Sequence, residues 1–139
     1  NDQYGHLVGD QMLRGFSLYL QKNLRPNDIV GRYGGDEFIV CLPDTTLSRG
    51  IMIAERLRQG SAEAAVGLES CSVRLTASFG VVTYAHASGE KTTALIKRVD
   101  QAMYRAKEKR DCVSSEAADP GSGTPAPEAR LSNMTPVSD

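Results

Sequence analysis

Two adjacent glycines, Gly34 and Gly35, set the strongest constraint on how this chain folds. Before them, Ile29 to Tyr33 is rich in β-branched and aromatic residues. After them, Phe38-Ile39-Val40-Cys41-Leu42 is an apolar run closed by Pro43-Asp44. Two extended runs joined by Gly-Gly predict a β-hairpin, because glycine reaches positive φ without a Cβ clash. The glycines also leave the tip bare, so phosphates or a base can come close to the backbone. Asp36 and Glu37 follow at once. Neighbouring strand residues face opposite ways, which frees one carboxylate to serve a metal while the other takes a second role. The plain alternative is a surface hairpin with two solvated acids.

Around the hairpin the apolar spacing predicts helices. Asn1 to Gly9 reads as a loop broken by Gly5 and Gly9, with a helix from near Asp10 that buries Leu13, Phe16, Leu20 and Leu24 and stops at Pro26. Arg25 and Asp28 then fall on the turn before the hairpin. Thr45 or Thr46 caps a second helix with Leu47, Ile51, Ala54 and Leu57 inward and Gly60 as its stop. Residues 60–70 are expected to form a loop. Strict alternation from Val73 to Val81 predicts one strand, and Thr92 or Thr93 caps a last helix carrying Leu95, Val99, Ala102, Met103 and Ala106 inward. The order helix, hairpin, helix, strand, helix implies an α+β fold, a mostly antiparallel or mixed sheet with helices packed on it.

With 139 residues there is room for one domain. From Val113 onward, four of the six prolines occur among Ser, Gly, Ala and Glu with almost no apolar periodicity, so residues 112–139 are expected to be a disordered tail. Residues 1–112 carry a slight positive excess and the tail a negative one. That balance lacks the broad basic face of a nucleic-acid binder. Cys41, Cys71 and Cys112 are odd in number and lack metal-ligand spacing, which points to reduced thiols and a cytoplasmic location. No apolar run has the length of a membrane span and no signal peptide is visible. The chain opens on Asn rather than Met, which leads us to expect a piece of a longer protein, with room for a membrane anchor upstream.

Arg32-Tyr33-Gly34-Gly35-Asp36-Glu37-Phe38 resembles the signature of GGDEF-type diguanylate cyclases. Other blocks keep the family's order: Asn1-Asp2, Gly5-His6 and Gly9-Asp10 ahead of the long helix, Arg25 with Asp28, Thr76 to Val81, and Asp100 with Tyr104-Arg105-Ala106-Lys107. The resemblance covers residues 1–111. It implies a nucleotidyl cyclase or polymerase palm fold, with a mostly antiparallel central sheet flanked by helices. It also implies the head-to-tail condensation of two GTP into cyclic di-GMP and two pyrophosphates, a bacterial second-messenger reaction carried out by a homodimer.

Residue by residue, the resemblance makes Asp36 a ligand for Mg²⁺, with Mn²⁺ as substitute, and Glu37 the catalytic proton acceptor or transition-state stabiliser. Gly34, Gly35 and Lys107 are matched to substrate phosphates, Asn1 and Asp10 to guanine and ribose, with His6 nearby. Arg25 and Asp28 match an inhibitory site for the product, with Arg56 as a second arginine. Taken alone, these residues also read as a loop amide, a helix cap, a surface imidazole, a solvated ion pair and a helix-end lysine.

The chain departs from the pattern twice. After Lys107 the family carries two residues and then Gly-Arg, whereas here Glu108-Lys109-Arg110-Asp111 follows without the glycine, which leaves the phosphate role of Arg110 open. The family's first strand, bearing another acidic metal ligand, would lie ahead of Asn1, together with a regulatory domain. Residues 1–139 alone are therefore expected to be inactive, with sheet edges left unpaired. The other readings are a non-catalytic cyclic di-GMP receptor using Arg25 and Asp28, which the intact acids disfavour, and an interaction module without nucleotide.

Overall fold

The structure is a computed structural model that describes residues 5–61, 66–68, 71–73, 75–84, 89–116 and 132–133, with side chains over 9–61, 75–84 and 89–116. Helix α1 (Gly5–Asn23) leads into the hairpin of β1 (Ile29–Gly34) and β2 (Glu37–Cys41), followed by α2 (Leu47–Ser61). A short hairpin of β3 (Val66–Leu68) and β4 (Cys71–Val73) precedes β5 (Phe79–Val81). Helix α3 (Thr92–Lys109), β6 (Val113–Ser115) and β7 (Ser132–Asn133) complete the described chain.

The fold is mixed helix and strand, as expected, although the strands fall into three small sheets: β1-β2, β3-β4 and β6-β5-β7. Three pairings are antiparallel, while β5 and β6 run parallel. The helices bury the faces that their spacing predicts. Phe16 and Leu20 of α1, Ala54 and Leu57 of α2, Phe38 and Val40 of β2, and Phe79 and Val81 of β5 share one core. Each large side chain in it contributes about 1.5–3 kcal/mol of burial energy. Val99 and Ala102 of α3 pack with Val82 in a second, smaller cluster.

β5 and α3 approach closely at Gly80, where an added Cβ would lie 2.6 Å from the Met103 backbone nitrogen. An arginine holds the far end of this unit. The Arg98 guanidinium on α3 donates to Glu90, to Glu116 just past β6, and to the Thr83 carbonyl. Glu116 in turn accepts from the Thr83 N–H at 2.7 Å. The Arg98 contact holds the Glu90 carboxyl below its ordinary range.

Several expectations are corrected. α1 begins at Gly5, so Gly9 lies inside the helix and Asp10 is not its N-cap. Gly60 lies within α2, and β3 occupies part of the expected 60–70 loop. The strand expected over 73–81 is interrupted, with 75–78 outside any strand. Lys91, not a threonine, precedes α3, and no side chain caps that helix. The segment from Val113 to Ser115, expected in the tail, pairs with Phe79–Val81 as β6. β5 is paired on both sides, by β6 and by β7, so it lacks the bare edge expected of it. Residues 117–131 and 134–139 of the expected tail lie outside the described residues.

Candidate functional site

The hairpin forms where the glycines predict it. Arg32 opposes Phe38 and Gly34 opposes Glu37, so the register slips by one residue at Tyr33. Gly35 turns the chain with φ +59°. Such a bulge twists the strand and re-aims the residues beyond it. Phe38 is buried and meets Phe16 edge-on at 4.9 Å, which anchors the strand from inside. Asp36 at the tip is exposed and Glu37 is half-buried.

The sequence assigned Arg32 no part beyond the motif. In the structure its Nε donates to the Gly35 carbonyl at 2.8 Å and its Nη2 donates to the same oxygen. The signal available was only the three-residue spacing from a long donor side chain to a glycine carbonyl.

Lys107, near the end of α3, forms an ion pair with Glu37 across 70 residues of sequence. Beside the pair lies a cleft of about 430 Å³, within the usual range for small-molecule sites, ~300–1,000 Å³. Phe16, Phe38 and Met103 contribute an apolar lining, and Asp36, Lys107 and Arg110 contribute charged groups. Gly34 and Gly35 have open space around them, with nothing within 4 Å of a Cβ built on either. The structure thus gathers Gly34, Gly35, Asp36, Glu37 and Lys107 at one place.

The missing glycine of the last block is visible in the backbone. Arg110 follows α3 with φ 54° and ψ 149°, a region that is close to glycine-only, and Asp111 also has positive φ. This turn is tied down by Arg58, whose Nη1 donates to Asp111 Oδ1 at 2.9 Å and to the Asp111 carbonyl at 3.4 Å, while its Nε and Nη2 donate to Glu55. The strained turn keeps Arg110 on the cleft.

Arg25, Asp28 and Arg56 gather at a second corner, and none of the three lines the cleft. The Asp28 carboxylate accepts from the Arg25 backbone N–H at 2.8 Å, while the Asp28 N–H donates to the Arg25 carbonyl at 3.0 Å. The pair is therefore a turn lock made through the Arg25 backbone. Arg56 reaches from α2 to donate to the Asn23 carbonyl at 2.8 Å, two residues from Arg25. Asp10 is exposed on α1, Asn1 lies outside the described residues, and of His6 only the backbone is described.

For a divalent cation the donor set is modest. Among the described residues no three His, Cys, Asp or Glu side chains cluster. Asp36 offers one exposed hard oxygen donor on the cleft. This suits an ion such as Mg²⁺, which is commonly bound through one or two carboxylates with phosphate oxygens and water, and it does not suit an all-protein cage. No described helix is long and apolar enough to cross a membrane.

These features define a class: an α+β domain in which a glycine hairpin presents carboxylates beside a lysine from a packed helix. Within that class the chain belongs to the diguanylate cyclase GGDEF domain family, whose pattern matches residues 1–111. It is 44% identical over 123 residues to the response regulator PleD of Caulobacter vibrioides, a match covering 85% of this chain and 26% of PleD. The diguanylate cyclase DgcP of Pseudomonas aeruginosa is 39% identical over 107 residues, covering 77% of this chain and 16% of DgcP. The chain thus spans about a quarter or less of these relatives.

Solved structures agree. Diguanylate cyclase SiaD of Pseudomonas aeruginosa, in complex with its activator SiaC, superposes with a TM-score of 0.76 at 34% identity, over 83% of this chain and 44% of that one. The active GGEEF domain of a diguanylate cyclase from Vibrio cholerae gives 0.69 at 28% identity, over 86% and 75% of the two chains.

Proposed function

We propose that this chain is the catalytic part of a diguanylate cyclase that condenses two GTP into cyclic di-GMP. The observation that carries the reading is the meeting of Asp36 and Lys107 on one cleft, with Glu37 paired to Lys107 beside it. Asp36 would hold Mg²⁺, or Mn²⁺ in its place, which when bound supplies charge neutralisation and orientation for the phosphates. Gly34 and Gly35, without side chains, let phosphate oxygens approach the backbone.

In the chain without nucleotide, Lys107 is held by Glu37. An incoming triphosphate carries more negative charge than one carboxylate and draws the ammonium to itself. Glu37 is then free to take the proton of the 3′-hydroxyl that attacks the α-phosphate of the second GTP. The bond to pyrophosphate breaks, and the same step with the roles exchanged closes the ring. Positioning and charge neutralisation do most of the work in such phosphoryl transfers.

A cleft of this volume suits one GTP, so the reaction takes two copies of the chain facing each other, as a homodimer. Asn1, His6 and Asp10 are assigned to guanine and ribose. Arg25, Asp28 and Arg56, away from the cleft, form the product site, where guanidinium groups meet phosphate or guanine acceptors. An upstream regulatory domain is supported by the response-regulator relative and by the neighbour solved with an activator. The cysteine usage supports a cytoplasmic location for this domain.

Thermal unfolding with ligands tests the reading. A ligand present at 100 times its Kd stabilises by about 2.7 kcal/mol. GTP with Mg²⁺ should raise the midpoint, and Asp36→Ala should remove that gain. Stabilisation by cyclic di-GMP and none by GTP with Mg²⁺ would favour a receptor.

A further inference from the structure

We infer that Arg32 is a positioning residue for this reaction, acting through the Gly35 carbonyl to hold Asp36 and Glu37 in place; the inference rests on the cyclase reading. The hairpin tip has little else to stiffen it. Gly34 and Gly35 have the widest backbone freedom of any residues. Nothing lies within 4 Å of a Cβ at either position, so packing does not restrain them. The ladder also slips at Tyr33, just before the tip.

Against that freedom stand two N–H donors of one charged, planar group converging on one oxygen, Nε at 2.8 Å and Nη2 beside it. The Gly35 carbonyl belongs to the peptide plane that carries the Asp36 nitrogen. Fixing that oxygen therefore fixes where the Asp36 side chain leaves the backbone, and the direction in which the chain enters Glu37. The bond is local, so the fold does not hang on it: Arg32 is absent from the core, and Phe38 anchors β2 independently through Phe16. A displacement of about 1 Å in a reacting group costs roughly 100-fold in rate.

Two measurements decide the matter. In residues 1–139, ¹⁵N relaxation should show Gly35 and Asp36 as ordered as the ladder residue Ile39. In Arg32→Ala the order parameters of the tip should fall while Ile39 keeps its value. Unchanged tip order overturns the inference whatever the activity.

In a chain extended at its N-terminus through the family's first strand, kcat per folded molecule should fall roughly tenfold or more in Arg32→Ala, with KM for GTP within about threefold. Arg32→Lys, with one charged head in place of the fork, should recover part of kcat. A loosened tip with kcat unchanged would also overturn the inference. Absence of turnover in the extended parent would sink the cyclase reading, and with it the catalytic part of this inference, while the relaxation data still decide whether Arg32 holds the tip.

Discussion

Gly80→Ala tests how the core sets the site. The added Cβ would meet the Met103 nitrogen at 2.6 Å, the Ala102 carbonyl carbon at 2.9 Å and the Met103 Cα at 2.9 Å. All three are backbone atoms of α3, which cannot rotate aside as a side-chain end can. Ordinary contact begins near 3.4 Å, so β5 and α3 must separate by about 0.8 Å. Overpacking in a core costs about 1–3 kcal/mol, and the rigid backbone puts this case at the upper end. With a urea slope of about 1–3 kcal/mol/M, the midpoint should fall by about 1 M or more at constant slope.

The same displacement acts on the site. Lys107 lies four residues beyond Met103, about 6 Å along the helix, and its partner Glu37 sits on β2. Moving α3 away from β5 also shifts Met103 and Lys107, which line the cleft with Asp36, so GTP affinity should fall together with stability. Gly31→Ala is the control, since nothing lies within 4 Å of its Cβ, and it should stay within about 0.5 kcal/mol of the parent. A Gly80→Ala midpoint equal to that of the parent would refute the close approach of β5 and α3.

Three further outcomes are expected. Arg110→Gly relieves a backbone conformation that costs about 1–3 kcal/mol, so its thermal midpoint should rise while its affinity for GTP falls; a lower midpoint would contradict the strained turn. Glu90 is held below its ordinary pKa by Arg98, so its contribution is complete above the unfolded-state value and is lost as pH falls through the lower folded-state value. Glu90→Gln should therefore destabilise at pH 7 and converge with the parent in strong acid, and a difference independent of pH would contradict the ion pair. Arg25→Ala in the extended chain should relieve inhibition by cyclic di-GMP with little change in initial rate, and inhibition that stays the same and is competitive with GTP would contradict a separate product site.

The legible parts of this molecule were the ones written in short stretches. Gly34-Gly35 between β-rich runs specifies the hairpin, and the 3.6-residue spacing of Phe16 and Leu20 or of Val99, Ala102 and Ala106 specifies which helix faces are buried. Thr46 was legible as a cap and accepts from the Arg49 N–H at 3.3 Å. What escaped depends on distant partners. Val113-Ser114-Ser115 has no strand pattern of its own and becomes β6 because β5 offers it an edge. The alternation from Val73 to Val81 was genuine in sequence, yet pairing interrupts it, and Gly80 is buried by a helix that the period-two pattern could not foresee. Gly9 inside α1 costs about 1 kcal/mol, which is too little to stop a helix that buries Phe16 and Leu20. At the site, the motif singled out Asp36, Glu37 and Lys107, but neither the Glu37–Lys107 pair nor the Arg32 fork can be read without the tertiary geometry.

The central claim, that the cleft of Asp36 and Lys107 with Glu37 beside it condenses GTP, is tested most directly by incubating the N-terminally extended chain with GTP and Mg²⁺ and separating the nucleotides by chromatography while following pyrophosphate. The account predicts one cyclic di-GMP for every two pyrophosphates, lost in Asp36→Ala and in Glu37→Gln with the fold intact by circular dichroism. Absence of product from a folded, GTP-binding protein, or near-normal turnover in both variants, would contradict it.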